Sequence, residues 1–211
     1  MQEGYLRLLT TAYSRRTVVR GAVGAAGVAG VLLTGDPLFK LGYDYAQTAL
    51  GQNLSDPDIL NFALGLEHLE NAMYRQVNAS GKLSGEAADI AKSFGSFEQA
   101  HVDALTKALQ GANYANIAKE GQYNFPAFDT QDNILKFLNT VEPVGVGAYT
   151  GAANLIKDKS ILGVAGAIVQ VEARQLAITR AIGGEASPVA GPLSEIFTPA
   201  EVMAKVKPLI K

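Results

Sequence analysis

Apolar positions recur every three to four residues along most of this chain, in four long blocks. Ile59, Phe62, Ala63, Leu66, Leu69, Ala72 and Met73 form the first stripe. That spacing predicts an amphipathic helix running to about Val77, capped by Ser55 or Asp56, with Pro57 in the first turn where a missing N–H is harmless. Ser80-Gly81 and Ser84-Gly85 mark a turn. A second helix is predicted from about Glu86 to Leu109, with Ile90, Phe94, Phe97, Ala104, Leu105 and Ala108 on its apolar side. Residues 111–128, holding Gly, Asn, aromatics and Pro126, read as a long crossover connection. Asp129 is the expected cap of a third helix, roughly 130–156, and Lys157-Asp158-Lys159 a short turn. Ser160 is the expected cap of a fourth helix, reaching about Ile182 and closed by Gly183-Gly184. After a loop-like stretch, 185–197, Thr198-Pro199-Ala200-Glu201 starts a short helix with Glu201 placed for a capping box. No sustained period-two run occurs. The expectation is an all-α body: a four-helix bundle over 56–184 with one long crossover, then a tail, 185–211, ending in a short helix.

Ahead of the bundle the pattern changes. Residues 36–55 form a connector punctuated by Asp36-Pro37 and Gly51-Gln52-Asn53. Before it, Ser14-Arg15-Arg16-Thr17-Val18-Val19-Arg20 precede an uncharged run, Gly21 to Gly35, of Ala, Gly, Val and Leu. A basic stretch before a short apolar run has the form of an export signal. The paired arginines after Ser14, with a basic residue four beyond the second, resemble the twin-arginine signal. Val18 stands where Phe is common and Arg20 where Lys is common. Five glycines in the run make a poor soluble helix. Fifteen helical residues span roughly 22 Å, against roughly 30 Å of bilayer hydrocarbon. No Ala-x-Ala sits cleanly at the end of the run. Residues 1–35 therefore read as a twin-arginine-type signal or a retained membrane anchor, and the location as periplasmic or otherwise extracytoplasmic.

Composition narrows the chemistry. The 211 residues are 48% hydrophobic and 18% charged, and include no cysteine and two histidines, His68 and His101. That excludes disulfides, thiolate metal sites, a cysteine nucleophile and any His-rich site. The formal net charge is −2, which offers nucleic acid no electrostatic footprint. Residues 1–35 carry Arg7, Arg15, Arg16 and Arg20 against Glu3, a net of +3, leaving −5 for the rest. Metal chemistry in such a chain has to rest on carboxylates.

The carboxylates inside the predicted helices repeat. Glu67 is followed seven residues later by Tyr74, and Glu142 seven residues later by Tyr149. The second helix carries Glu98 and His101 at i, i+3; the fourth carries Glu172 and Gln175 at the same spacing. Glu67 and Glu98 are 31 residues apart, Glu142 and Glu172 are 30, and the two sets are offset by 75 and 74. Such near-constant offsets are what an internal duplication of a helical hairpin produces. These glutamates lie among Ala63, Leu66 and Leu69, after Phe94 and Phe97, and within Ala167-Ile168-Val169. A carboxylate on an apolar face must be protonated, paired or bound to metal, because burying a bare charge costs several kcal/mol or more. Two divalent ions would balance four glutamates.

Ile59-Leu60-Asn61-Phe62-Ala63-Leu64-Gly65-Leu66-Glu67-His68-Leu69-Glu70, Glu98-Gln99-Ala100-His101, Val141-Glu142-Pro143-Val144-Gly145-Val146 and Val171-Glu172-Ala173-Arg174-Gln175 resemble the ferritin-like superfamily, and most nearly its exported, desiccation-related type. The likeness covers about 56–210. It implies iron or manganese, with Glu67 and His101 as terminal ligands of one ion, Glu98 and Glu172 bridging, and Glu142 on the second ion beside Gln175. Gln175 departs from the pattern, because a second histidine belongs there and an amide oxygen is the poorer ligand for a transition metal. The second position is then weak, empty, or suited to a harder ion such as manganese. His68 lies 100° around the helix from Glu67 and is not expected to bind. Glu70, at i+3, is either an additional ligand or a solvated charge. Tyr74 and Tyr149 are expected as core hydroxyls bonded to the glutamates. Pro143 removes a helical N–H, and Gly145 and Gly147 either allow close packing or open a cavity.

Two functions follow as expectations. One is an exported protein binding one or two iron or manganese ions, a di-iron-type oxidase protecting against oxidative or desiccation stress. The other is a metal-free structural or interaction subunit held at the membrane by its N-terminal helix. The partners implied are metal ions, a membrane or protein contact through the N-terminal segment, and further copies of the chain, but not nucleic acid.

Overall fold

The computed structural model describes residues 54–189 and 191–211. The signal or anchor read at 1–35, and the connector up to residue 53, lie outside the described residues. Five helices follow: α1 (Asp56–Ser80), α2 (Gly85–Gly111), α3 (Gln131–Ala152), α4 (Lys159–Ile182) and α5 (Pro199–Val206), with a 3₁₀ turn at Lys207–Leu209. Among the described residues the extended pairing is a single bridge, Tyr123 to Ile210, which ties the crossover to the C-terminal end of the chain. The body is all-α, as the periodicity predicts.

The helix starts show what local chemistry decides. Ser55 caps α1 and exchanges hydrogen bonds with Asp58 in a capping box, with Pro57 in the first turn. Asp56, the alternative cap, instead reaches across to accept the backbone N–H groups of Lys157 and Asp158 in the turn between α3 and α4. Two expected caps move by a residue or two. Thr130 rather than Asp129 opens α3, because Asn133 stands three residues on and completes the box. Asp158 rather than Ser160 opens α4, since its carboxylate accepts from both Ser160 and Ile161. The third helix ends at Ala152, short of the expected 156. It continues through Pro143, where the Asn139 carbonyl forgoes its helical donor.

α2 and α4 each bury a narrow stripe with alternating steps of three and four. In α2 the stripe runs through Ala87, Ala91, Phe94, Glu98, His101 and Leu105, with Val102 and Leu109 also buried beside and beyond it; in α4 it is Ala165, Ile168, Glu172, Gln175 and Thr179. This is the seam geometry of packed helices, and it corrects the expected apolar side of α2. Phe97 is 41% exposed, Ala104 is exposed and Ile90 half-buried, while the small Ala87 and Ala91 face inward. α4 leaves Leu162, Val164 and Ile178 exposed, and by length and composition alone it is apolar enough to cross a membrane.

α1 is buried almost all round from Ile59 to Tyr74, because the crossover runs along the side the other helices leave open. Tyr114 donates to Asp58 at 2.8 Å, and the buried Asn61 amide bonds both the Asn116 carbonyl and the Ala118 N–H. His68 Nε2 lies 3.3 Å from the Ala118 carbonyl, and Glu120 pairs with Arg75. Reading 58, 61, 68, 75 against 114, 116–118, 120, the connection advances in the same direction as α1. It must, because α2 and α3 run the same way and the chain has to return along the whole bundle between them.

Candidate metal centre

Every side chain of the centre stands on a core-facing helical position, so the carboxylates sit where neighbouring turns present Leu, Ile, Phe and Ala. Glu67 and Glu70 come from α1, Glu98 and His101 from α2, Glu142 from α3, and Glu172 and Gln175 from α4; all are buried. His101 Nδ1 lies 3.1 Å from Glu67 Oε2, 3.1 Å from Glu98 Oε2 and 3.2 Å from Glu172 Oε1. These four residues each offer a ligand atom, all within 4.8 Å of one another.

Cross-bundle hydrogen bonds orient the cluster in two reciprocal pairs. Tyr74 of α1 donates to Glu142 of α3, and Tyr149 of α3 donates to Glu67 of α1. Gln175 Nε2 of α4 donates to Glu98 Oε1 of α2, while His101 of α2 faces Glu172 of α4. Each pairing keeps constant register only if the two helices run antiparallel. The duplication in the sequence is thus a near-twofold arrangement in space, and the two tyrosines are bonded to glutamates.

The charge balance of these residues is short of cations. Burial, aided by the Glu98 charge, raises the Glu67 carboxyl to about 7 even though His101 and Tyr149 pull it down. Burial and the Glu98 charge likewise lift Glu142 to about 8 against the Tyr74 bond. Glu70 and Glu172 are pushed well above the usual carboxylate range by burial and by neighbouring glutamates. Burial works against a charged His101, but contacts with Glu172, Glu67 and Glu98 outweigh it and raise the imidazole to about 12. Burial and nearby glutamates raise both tyrosines well above their ordinary value, so each remains an O–H donor.

The donor set fits a divalent metal. Glu142 Oε2, Glu172 Oε2 and Gln175 Oε1 are buried without a hydrogen-bond partner, and Glu172 Oε1 has the shared His101 imidazole 3.2 Å away. Orphaned buried acceptors cost free energy unless something binds them. One imidazole N–H cannot serve three carboxylates at once. Three oxygens at near-equal distance from one nitrogen match instead the edges of a coordination shell, since neighbouring ligands with bonds of roughly 2.1–2.2 Å stand roughly 3 Å apart. Carboxylates with one imidazole suit iron(II) and manganese(II).

Of the residues read from sequence, Glu67, Glu98, His101 and Glu172 form the tight group, Gln175 joins it through Glu98, and Glu142 joins through Tyr74. His68 faces the crossover, as its angle predicts. Glu70, left open as ligand or solvated charge, is 5% exposed. Gly145 and Gly147 have different tasks. A Cβ on Gly145 would stand 2.9 Å from both Glu172 Oε2 and Glu70 Oε1. A Cβ on Gly147 would stand 2.2 Å from the Phe197 ring, so that glycine seats the tail. The role of Gly145 was the residue-level feature that sequence reasoning missed. Its signal was present: Glu70 and Gly145 each stand three residues after the paired glutamates Glu67 and Glu142.

No curated protein sequence matches the chain. A family model, described as the ferritin-like domain, matches residues 55–185, from the Ser55 cap through the turn after α4. That span covers more than half of the 211 residues and contains every side chain of the centre, so the chain belongs to the ferritin-like domain family.

Proposed function

We propose that this is an exported ferritin-like metalloprotein that holds one or two iron or manganese ions and limits oxidative damage. The observation that carries the reading is the convergence of Glu67, Glu98, His101 and Glu172 within 4.8 Å beside buried carboxylate oxygens that no protein donor serves. Glu67 and His101 would hold one ion, Glu98 and Glu172 would lie between the two positions, and Glu142 would face the second. A bound iron or manganese would supply one-electron chemistry toward O₂ or peroxide. The chain's own residues keep the ligands in place: Tyr149 fixes the Glu67 carboxylate, Tyr74 fixes Glu142, and the Gln175 amide fixes Glu98. The apolar stripes of α2 and α4 exclude water around them. Export rests on Ser14-Arg15-Arg16 and the uncharged run after it; a twin-arginine route, which carries folded proteins, would let the cytoplasm choose the metal.

A second reading has its own support. With Gln175 in place of a second histidine, and a cationic His101 already facing three carboxylates, the bundle would stand metal-free as a docking body at the membrane. The exposed Leu162, Val164 and Ile178 of α4 would then meet a partner or another copy.

Metal content separates the two. Protein purified without chelator is expected to carry iron or manganese by mass spectrometry, and Glu98→Ala and Glu172→Ala are expected to lose it. Added Mn²⁺ should raise the melting temperature of the wild type and not of the variants. A metal-free wild type that no divalent ion stabilises would leave the structural reading standing. Intact mass of the native chain addresses the signal: loss of the first thirty-odd residues excludes the anchor.

A further inference from the structure

Resting on the metal-binding reading above, we propose that Glu70 is a ligand of the second cation position and makes up for the weak amide donor that Gln175 offers there in place of a histidine. That position would be an all-oxygen site made by Glu70, Glu142, Glu172 and the free Gln175 Oε1.

Glu70 is not a solvated charge, since it is buried in the core of α1. Among the described residues no ion pair reaches it. Its carboxylate lies beside Oε2 of Glu172, whose other oxygen, Oε1, faces His101. Glu70 Oε1 and Glu172 Oε2 are each 2.9 Å from the point a Gly145 Cβ would occupy, so no more than twice that distance separates them. Two carboxylates brought that close in a buried site repel unless one is protonated or a cation lies with them.

Independent observations point to the ligand. Gln175 Oε1 is buried and unpartnered although its amide nitrogen is anchored on Glu98. Glu142 Oε2 is unpartnered although its other oxygen is held by Tyr74. Both side chains are oriented by one atom and leave the other free, as ligands held by a neighbour do. The backbone accommodates the extra carboxylate as well. Glycine is unfavourable inside a helix, yet at residue 145 even a methyl group would stand closer to two carboxylate oxygens than ordinary contact allows. The place of Gly145 in the second hairpin is the place of Glu70 in the first, so one half supplies a carboxylate and the other vacates the room for it.

The chemistry differs between the two positions. The first includes the His101 imidazole and suits borderline ions; the second has oxygen donors alone and suits hard ions such as Mn²⁺.

The test uses the full chain, stripped of metal and titrated with MnCl₂ by calorimetry, with bound manganese counted by mass spectrometry. Wild type is expected to bind two Mn²⁺. Glu70→Gln, which keeps the shape, is expected to retain one and to weaken the other at least about tenfold, the low end of what even ligand-orienting groups are worth to a metal site. Gly145→Ala leaves Glu70 itself in place and is expected to give the same loss while far-UV circular dichroism shows an intact bundle. A Glu70→Gln protein with wild-type stoichiometry and affinity overturns the assignment, as does a single wild-type ion that survives Glu70→Gln unchanged. A wild type that binds no Mn²⁺, Fe²⁺ or other divalent ion overturns instead the metal reading beneath it.

Discussion

The hairpin of α1 and α2 and the hairpin of α3 and α4 follow one plan and depart from it at two places. Each opens with a core glutamate, Glu67 or Glu142, and a tyrosine seven residues on that bonds the other hairpin's glutamate. Each second helix adds a buried glutamate in the seam, Glu98 or Glu172. The departures come three residues after each glutamate. Where the first hairpin has Glu70 and His101, the second has Gly145 and Gln175. The first half is rich in donors and the second half poor, and the glycine of the poor half opens room for the carboxylate of the rich one. A duplicated scaffold can thus keep its frame of helices and tyrosines while its two cation positions diverge in chemistry, because the frame depends on register and the donors do not.

The largest expected effect tests that inequality. His101→Ala should weaken the first ion by more than about 100-fold, above the range of groups that only orient ligands, whereas Gln175→Ala should change ion binding far less. Equal losses in calorimetric titration would mean that the halves are equivalent after all. Gln175→His should strengthen the second position, and failure to raise metal occupancy would break the account of why that position is weak.

The tyrosines test the part of the plan the halves share. Tyr74→Phe and Tyr149→Phe should each lower metal affinity by about 10–100-fold, and by similar factors, since each removes one donor from one glutamate. A loss confined to one of them would show that the near-twofold frame is not energetically symmetric.

Smaller effects lie in the glycines. Gly147→Ala and Gly151→Ala meet the Phe197 ring and the Phe197 carbonyl, with added Cβ atoms 2.2 Å and 2.0 Å away. They should destabilise the bundle by about 1–3 kcal/mol in denaturant unfolding, as overpacking does. Gly163→Ala in α4 meets nothing within 4 Å and should stabilise by about 0.5–1 kcal/mol through helix propensity. Loss of stability there would mean that the open face of α4 is covered in solution.

Much of the frame was legible because its signals are local. The Ser55, Thr198 and Pro57 positions announce helix starts, and the three-to-four spacing announces the stripes. Thr130 and Asp158 were missed as caps because a neighbour, Asp129 or Ser160, has equally good capping chemistry, although Asn133, three residues after Thr130, was a signal for the true cap of α3. Phe97 was misplaced because a large apolar side chain outweighs Ala87 and Ala91 in any reading by hydrophobicity, while the seam of α2 has room for small residues. The site's membership was legible because polar residues interrupt apolar stripes at repeating intervals. The fate of Glu70 was not, since an i+3 position lies on the correct face whether the side chain ends inside or at the rim.

By itself the sequence determined four helices, the cap of the first, a duplicated hairpin and the glutamates that had to find partners, because periodicity, capping and the cost of buried charge act within a few turns of one helix. Tertiary structure alone decided which tyrosine holds which glutamate, that His101 meets three carboxylates, that Glu70 lies against Glu172, and that Gly145 and Gly147 serve different neighbours. Those outcomes depend on the antiparallel register of helices joined through a crossover of many residues, and no local pattern carries that distance.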